Sequence, residues 1–301
     1  AFLDRRAAVR PGDPQALTDA AAAHIDLAVL ATWTPGAGLA GGAAGFEAAP
    51  DRIPTDVAER HLYTGLRYLR AARAANPLTA RAHARLGVYA GYFQSSEPAA
   101  VHFARAKRLM PVDPDIWFFS GREALARGDE AAAWSDWRRS LAQSSLHLGS
   151  ILRAARGKLN AEEIRAKLLP DDPAVLLAAA NVLYPDPVGQ AAERRPFLEE
   201  VAAADRPGLP VERLMIVADA LAWLGRPDEA AAVWRRAADA EPDRVDVRSR
   251  FAGFLESEER YEEAIEQLEW LRQEQPRNEA YRDRLDAAKH ALKLRREIEG
   301  K

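Results

Sequence analysis

The chain contains no cysteine and no long apolar run, and each absence excludes a class of protein. Without cysteine there is no disulfide framework, no thiolate nucleophile and no thiolate metal site. Without a run of about 20 apolar residues, no segment of this sequence is expected to cross a bilayer as a helix. The sequence has 42 Lys and Arg residues and 45 Asp and Glu residues, and the resulting net charge of −3 disfavours nucleic acid as a partner.

The sequence nevertheless contains ample material for a folded core. Hydrophobic residues make up 48% of the 301 residues, and seven tryptophans are among the aromatic ones, so we expect a folded chain of one large or two ordinary domains. The sequence begins at Ala1 with neither an initiator Met nor a signal-peptide pattern, and its first residues are typical of the inside of a helix. We therefore expect a fragment or a processed piece of a longer protein. Its compartment stays open between cytoplasm and periplasm, with or without a membrane tether outside this sequence.

Prolines that follow helical stretches divide much of the sequence into units of 34 residues. Pro77 and Pro111 are 34 residues apart, and so are Pro242 and Pro276. Four units follow this register: Ala80–Asp113, Pro114–His147, Val211–Arg244 and Val245–Asn278. Each unit has a small residue at its positions 8 and 20 and a large apolar residue at position 24. Position 8 is glycine in two units, Gly87 and Gly121. Position 24 is aromatic in three units: Phe103, Trp137 and Trp234.

A pair of helices in each unit explains these residue types. Where two helices approach most closely, at positions 8 and 20, only Gly, Ala or Ser fits, whereas the large residue at position 24 fills the gap to the next unit. The proline ends the second helix, because it has no N–H group and restricts the residue before it. The pattern resembles the tetratricopeptide repeat (TPR) family, with W-x2-L-G-x2-Y, then A-x3-F, A and P. The resemblance implies an all-α fold, a right-handed α-solenoid of helix hairpins with a C-terminal capping helix.

We expect three regions along the chain. Residues 1–147 form N-terminal TPR-like units with a Gly-rich insertion at about 33–54, residues 148–210 form divergent helical units, and residues 211–301 form two regular units and the capping helix. The insertion is either a mobile surface loop or a plug whose Leu39 and Phe46 enter the groove or contact a partner. The period fails near 144–169, where Asn160 and Glu163 predict a capping box at the start of a short helix.

No set of residues in the sequence has the spacing of a catalytic or metal site. None of the six histidines has metal-ligand spacing, and His61, His83 and His102 are expected on different helices as solvated or core imidazoles. The Gly-rich insertion lacks G-x-x-x-x-G-K-[ST], which disfavours a phosphate site. We therefore predict no catalytic residues, no metal, no cofactor and no enzymatic activity.

The TPR resemblance implies that the first helix of each hairpin lines a concave groove. The candidate partner-binding residues at the implied positions are Arg81, Arg85, Tyr92, Phe118, Phe119, Arg122, Arg153, Arg156 and Asn181. Guanidinium groups bind carboxylates through paired hydrogen bonds, so these residues predict an acidic or carboxylate-bearing peptide, with the aromatic rings as apolar contacts. The family's Lys and Asn clamp pattern is missing from the first units, so the family's binding of chaperone tails is not implied. The alternative is that these arginines pair with acidic residues of neighbouring helices or are solvated.

These observations predict a non-catalytic protein–protein interaction scaffold that binds a peptide or protein. A second hypothesis is the repeat tail of a larger membrane-bound glycan ligase or polymerase, because LLPDDP at 168–173 and LYP at 183–185 resemble tails of bacterial O-antigen ligase-like membrane proteins. A third is self-association, either through the insertion or through an N-terminal edge that exposes Phe2 and Leu3.

Overall fold

The fold of the chain is entirely helical wherever the structure describes it. The structure, a computed structural model, describes residues 2–31, 53–92 and 97–299, and no strand occurs in these ranges. The predicted insertion, with Leu39 and Phe46, lies outside them except for its last two residues, and so do the side chains of Phe2 and Leu3. No helix in these ranges is both long enough and apolar enough to span a bilayer.

The helices fall into two compact units, the first ending at Pro170 and the second beginning at Asp171. The first contains α1 (Phe2–Val9), α2 (Pro14–Leu30), α3 (Thr55–Val57), α4 (Tyr63–Ala75), α5 (Ala80–Val88), α6 (Ala99–Leu109), α7 (Pro114–Ala126), α8 (Glu130–Gln143), α9 (Leu148–Ala155) and α10 (Ala161–Leu168). The second contains α11 (Pro173–Leu183), α12 (Ala191–Ala203), α13 (Val211–Trp223), α14 (Pro227–Ala240), α15 (Val245–Ser257), α16 (Tyr261–Glu274) and α17 (Glu279–Glu299). One π-helical turn, Ala58–Leu62, joins α3 to α4 without a break.

Consecutive helices pair as antiparallel hairpins, which confirms the predicted all-α helical-repeat fold. The pairs are α2 with α4, α5 with α6, α7 with α8, α11 with α12, α13 with α14, and α15 with α16. The helices α4, α6, α14 and α16 each end two residues before the proline of their unit, as expected for a residue that cannot continue a helix. The right-handed coiling of the whole chain stays a prediction.

The two helices of a hairpin touch where the sequence places glycine. A Cβ atom at Gly87 would lie 2.9 Å from the ring of Phe103, and one at Gly121 would lie 2.5 Å from Nε1 of Trp137. The ring at position 24 therefore lies over the position-8 glycine of its own unit. The position-24 ring also contacts the next 34-residue repeat, since the Trp234 ring stacks on Phe251 with centroids 6.3 Å apart.

The turn between the two helices of a hairpin uses one left-handed residue. Gly128 has a φ of 82° and Gly225 a φ of 74°. The equivalent residue of the next unit, 34 positions after Gly225, is Glu259 with a φ of 55°. A side chain in this conformation is strained by about 1–2 kcal/mol, because its Cβ atom approaches the following carbonyl oxygen.

The region where the period fails contains two short helices. Helices α9 and α10 have eight residues each. The predicted capping box at α10 is confirmed, because the Asn160 side chain accepts from the N–H of Glu163 and the Glu163 carboxylate accepts from the N–H of Asn160. The two compact units are divisions by packing, whereas the ranges 1–147, 148–210 and 211–301 divide the chain by its repeat pattern and stay a prediction.

The last helix covers the end of the second unit, as a capping helix should. Leu285 and Ala288 of α17 are buried together with Leu268 and Leu271 of α16. The helix also binds its neighbours through charges, since Arg284 pairs with Glu256, and Lys289 pairs with Glu269 at 2.8 Å. Its remaining surface is largely charged and exposed, so it ends the stack of apolar interfaces with a face suited to water.

Candidate binding site

A cleft lies between α5 and α7, the first helices of two neighbouring hairpins. Its volume is about 220 Å³, and α5 contributes Arg81, Ala84, Arg85 and Val88, while α7 and its N-cap contribute Asp113, Asp115, Ile116 and Phe119. The four α5 residues lie side by side because they occupy positions 2, 5, 6 and 9 of their repeat, and residues with this spacing share one face of a helix. Three of the predicted groove residues, Arg81, Arg85 and Phe119, therefore line one cleft.

The α5 wall of the cleft carries two cations in different environments. Arg81 is exposed and makes no ion pair with any residue in the described ranges. Arg85 is half-buried, and burial lowers the pKa of its guanidinium, an effect that the nearby Asp26 carboxylate opposes. One turn separates the two arginines, so the wall presents a row of guanidinium groups.

The α7 wall carries carboxylates that are already hydrogen-bonded on one side. Asp113 is the N-cap of α7, and its Oδ1 accepts from the N–H of Asp115 at 2.9 Å. The Asp115 carboxylate in turn lies 2.7 Å from Nε2 of His147. These bonds fix the direction of both carboxylates and leave further acceptor sites on each, because a carboxylate has about four lone-pair sites.

The two predicted phenylalanines differ in what they offer to a ligand. Phe118 is only 2% exposed, and its ring stacks on the His147 ring with centroids 3.9 Å apart and an interplanar angle of 3°. Phe119 is 8% exposed and lines the cleft. Arg122 is exposed, with its guanidinium carbon about 6 Å from the centre of each phenylalanine ring. The aromatic floor is therefore Phe119, with Phe118 packed behind it.

The remaining predicted residues are placed elsewhere. Arg153 on α9 and Arg156 after it are exposed. Asn181 is in the second unit, where its Oδ1 accepts from Arg194 at 2.7 Å. Tyr92 ends a short helical turn after α5, and its side chain lies outside the described part of the structure. Sequence reasoning missed His147 and did not select Asp113, although its N-cap position before Pro114 was readable.

Some arginines in the described ranges are ion-paired and others are not. Arg105 pairs with Glu97 at 2.9 Å, and Arg236 pairs with Asp205 at 2.8 Å. By contrast, the predicted groove residues without an ion pair to any described residue are Arg81, Arg122, Arg153 and Arg156. None of these four pairs with an acidic residue of a neighbouring helix in the described ranges, and all four are exposed, which agrees with the alternative that they are solvated.

Two histidine pairs join the helices of the first hairpins. His83 on α5 and His102 on α6 are buried, with their Nδ1 atoms 3.2 Å apart, and His24 and His61 make the same contact at 3.1 Å. His83 and His102 are thus core groups, whereas His24 and His61 are half-buried. The contact within each pair was not predicted from the sequence. Burial lowers the pKa of both His83 and His102, that of His102 to about 4. No group of three or more His, Asp or Glu residues in the described ranges is arranged to hold a metal ion.

No protein-family model matches the chain, and no curated protein matches it. Solved structures do. The crystal structure of the APC/C hetero-tetramer Cut9–Hcn1 is 15% identical, with a TM-score of 0.34, over 79% of this chain and 50% of that one. That of YrrB, described as a TPR protein with an unusual peptide-binding site, is 16% identical, with a TM-score of 0.32, over 75% of this chain and 97% of that one. That of TTC0263, a thermophilic TPR protein of Thermus thermophilus, is 21% identical, with a TM-score of 0.33, over 70% of this chain and 98% of that one.

The resemblance to tetratricopeptide repeats is confirmed. It concerns the helical-repeat fold alone, and the chain spans half the length of the Cut9–Hcn1 chain that it matches. None of the structures described above is an O-antigen ligase-like protein, so that hypothesis gains no support from them.

Proposed function

We propose that the chain is a non-catalytic interaction module that binds a peptide segment of a partner protein in the cleft between α5 and α7. The observation that carries the proposal is the cleft itself, in which Arg81 lacks an internal ion-pair partner beside an apolar floor. Arg122 extends the same basic surface beyond Phe119. The proposal is in keeping with the description of YrrB, a TPR protein, as having an unusual peptide-binding site.

The size of the cleft favours side chains of a peptide over a complete cofactor. Sites for small molecules and cofactors are typically about 300–1,000 Å³, whereas this cleft is about 220 Å³. One large side chain and the polar groups beside it fill such a volume. Specificity then comes from a few charge-assisted hydrogen bonds, each of which contributes about 1.5–3 kcal/mol.

A pair of matched double variants tests the proposal. Peptides are first selected from a random library displayed on phage, with the full chain as the target. Removing Arg81 and Arg122 together (Arg81→Ala, Arg122→Ala) should weaken the selected peptides at least about tenfold, because about 1.4 kcal/mol is a factor of ten in affinity. Removing two exposed arginines that do not line the cleft, Arg60 in the π-helical turn before α4 and Arg272 on α16, should leave affinity within about twofold.

The outcome is read by isothermal titration calorimetry on variants whose far-UV circular dichroism is unchanged. Equal affinities of the two double variants, or the absence of any selected peptide, would show that the cleft is not a peptide site. The absence of catalysis and of cofactors, the membrane-tethered tail and self-association stay predictions.

A further inference from the structure

The two walls of the cleft carry charges of opposite sign that do not neutralise each other. Arg81 on α5 and Asp113 at the start of α7 both line the cleft. No ion pair joins either of them to a residue in the described ranges, because no opposite charge lies within 4.0 Å. Apolar side chains of Val88, Ile116 and Phe119 line the cleft with them.

The other two charged residues that line the cleft repeat the same division. Arg85 adds a second cation on the α5 side, with Asp26 of α2 near it. Asp115 adds a second carboxylate on the α7 side, where His147 is its partner. Asp26 thus lies near Arg85, and His147 is hydrogen-bonded to Asp115. Arg81 has no ion pair with a described residue, and Asp113 keeps acceptor sites beyond its N-cap bond, so these two groups are the ones we assign to a ligand.

A ligand of one sign suits only one wall of such a cleft. Two like charges in contact near a protein surface repel each other. A peptide with several carboxylates would gain from Arg81 and lose beside Asp113 and Asp115, and a purely basic peptide would meet the reverse. A ligand with one charge of each sign gains at both walls.

We propose that the cleft binds a dipolar peptide segment, in which an acidic residue and a Lys or Arg residue flank one apolar side chain. The ligand carboxylate pairs with Arg81, the ligand cation pairs with Asp113, and the apolar side chain lies on Phe119. This inference rests on the proposed peptide-binding function, and it replaces the predicted acidic partner by one of mixed charge.

The peptides selected by phage display supply the first test. The expected result is enrichment of sequences that carry one acidic and one basic residue with an apolar residue between them. Enrichment of sequences with charge of one sign, or without charge, would overturn the dipolar assignment. In that case a tenfold loss in the Arg81→Ala, Arg122→Ala variant would still support the proposed function, so the two can fail separately.

Double-mutant cycles supply the second test and identify the wall that each ligand charge meets. Arg81→Gln is combined with replacement of the peptide acid by its amide, and Asp113→Asn with replacement of the peptide lysine by norleucine. Asparagine caps a helix about as well as aspartate, so Asp113→Asn preserves α7. Each matched pair should show a coupling of at least about fivefold, and each crossed pair a coupling near one. Equal coupling in the matched and crossed pairs would refute the assignment of the walls.

Discussion

Replacement of Gly121 by alanine tests the close helix approach behind the cleft. An alanine Cβ atom there would lie 2.5 Å from Nε1 of Trp137 and 3.1 Å from the carbonyl oxygen of Ala133. The Trp137 side chain is fully buried, and its Nε1 donates to the carbonyl oxygen of Phe118 at 3.0 Å. The indole ring therefore has to move, and its hydrogen bond is stretched or lost.

Three effects set the size of the change. Overpacking of a well-packed core costs about 1–3 kcal/mol, and a buried donor left without its acceptor costs about another 1–3 kcal/mol. Alanine stabilises a helix interior by about 1 kcal/mol relative to glycine. The sum predicts that Gly121→Ala lowers the free energy of unfolding by about 1–5 kcal/mol.

The same substitution at Gly253 is the control. A Cβ atom at Gly253 in α15 would be 3.5 Å from Arg284, an ordinary contact, so Gly253→Ala should stabilise the chain by up to about 1 kcal/mol. Urea unfolding followed by far-UV circular dichroism and tryptophan fluorescence measures both changes, with two probes because repeat proteins can unfold in steps. If Gly121→Ala is as stable as Gly253→Ala, the described contact between the two helices is wrong.

Three further changes test local features of the fold. Glu259→Gly should raise the free energy of unfolding by about 0.5–1 kcal/mol, since glycine tolerates the positive φ, whereas Gly225→Ala at the equivalent turn should lower it by about 1 kcal/mol; urea midpoints compare the two. Asn160→Ala should lose the capping box and about 1 kcal/mol, seen as faster hydrogen exchange of the α10 amides. The pKa of His102 is lower in the folded state, about 4, than the value of about 6.5 expected in the unfolded chain, so the unfolded state takes up more protons as the pH falls and stability decreases. The free energy of unfolding should fall by about 2 kcal/mol between about pH 7.5 and pH 5. In His102→Asn, which keeps a donor and an acceptor near Nδ1, it should fall by less over the same range. An equal fall in both proteins would contradict the role given to His102.

The parts of the binding site that could be predicted are those set by helical periodicity. Arg81, Arg85 and Phe119 share one cleft because their positions in two consecutive repeats face the same side. The hydrogen bond of Asn181 could not be predicted in this way, because its side chain accepts from the buried Arg194 of the next helix. The burial of Phe118 beneath His147 likewise depends on a residue 29 positions away, from 118 to 147.

The sequence by itself determined where helices begin and end and which of their faces meet. Prolines, glycines and capping residues act over a few neighbouring positions, and the 34-residue spacing repeats those local effects along the chain. The tertiary structure alone decided which charges are neutralised. An ion pair depends on whether side chains from two helices come within about 4 Å. Arg236 and Asp205 do so, whereas Arg81 and Asp113 line one cleft without an ion pair to any described residue.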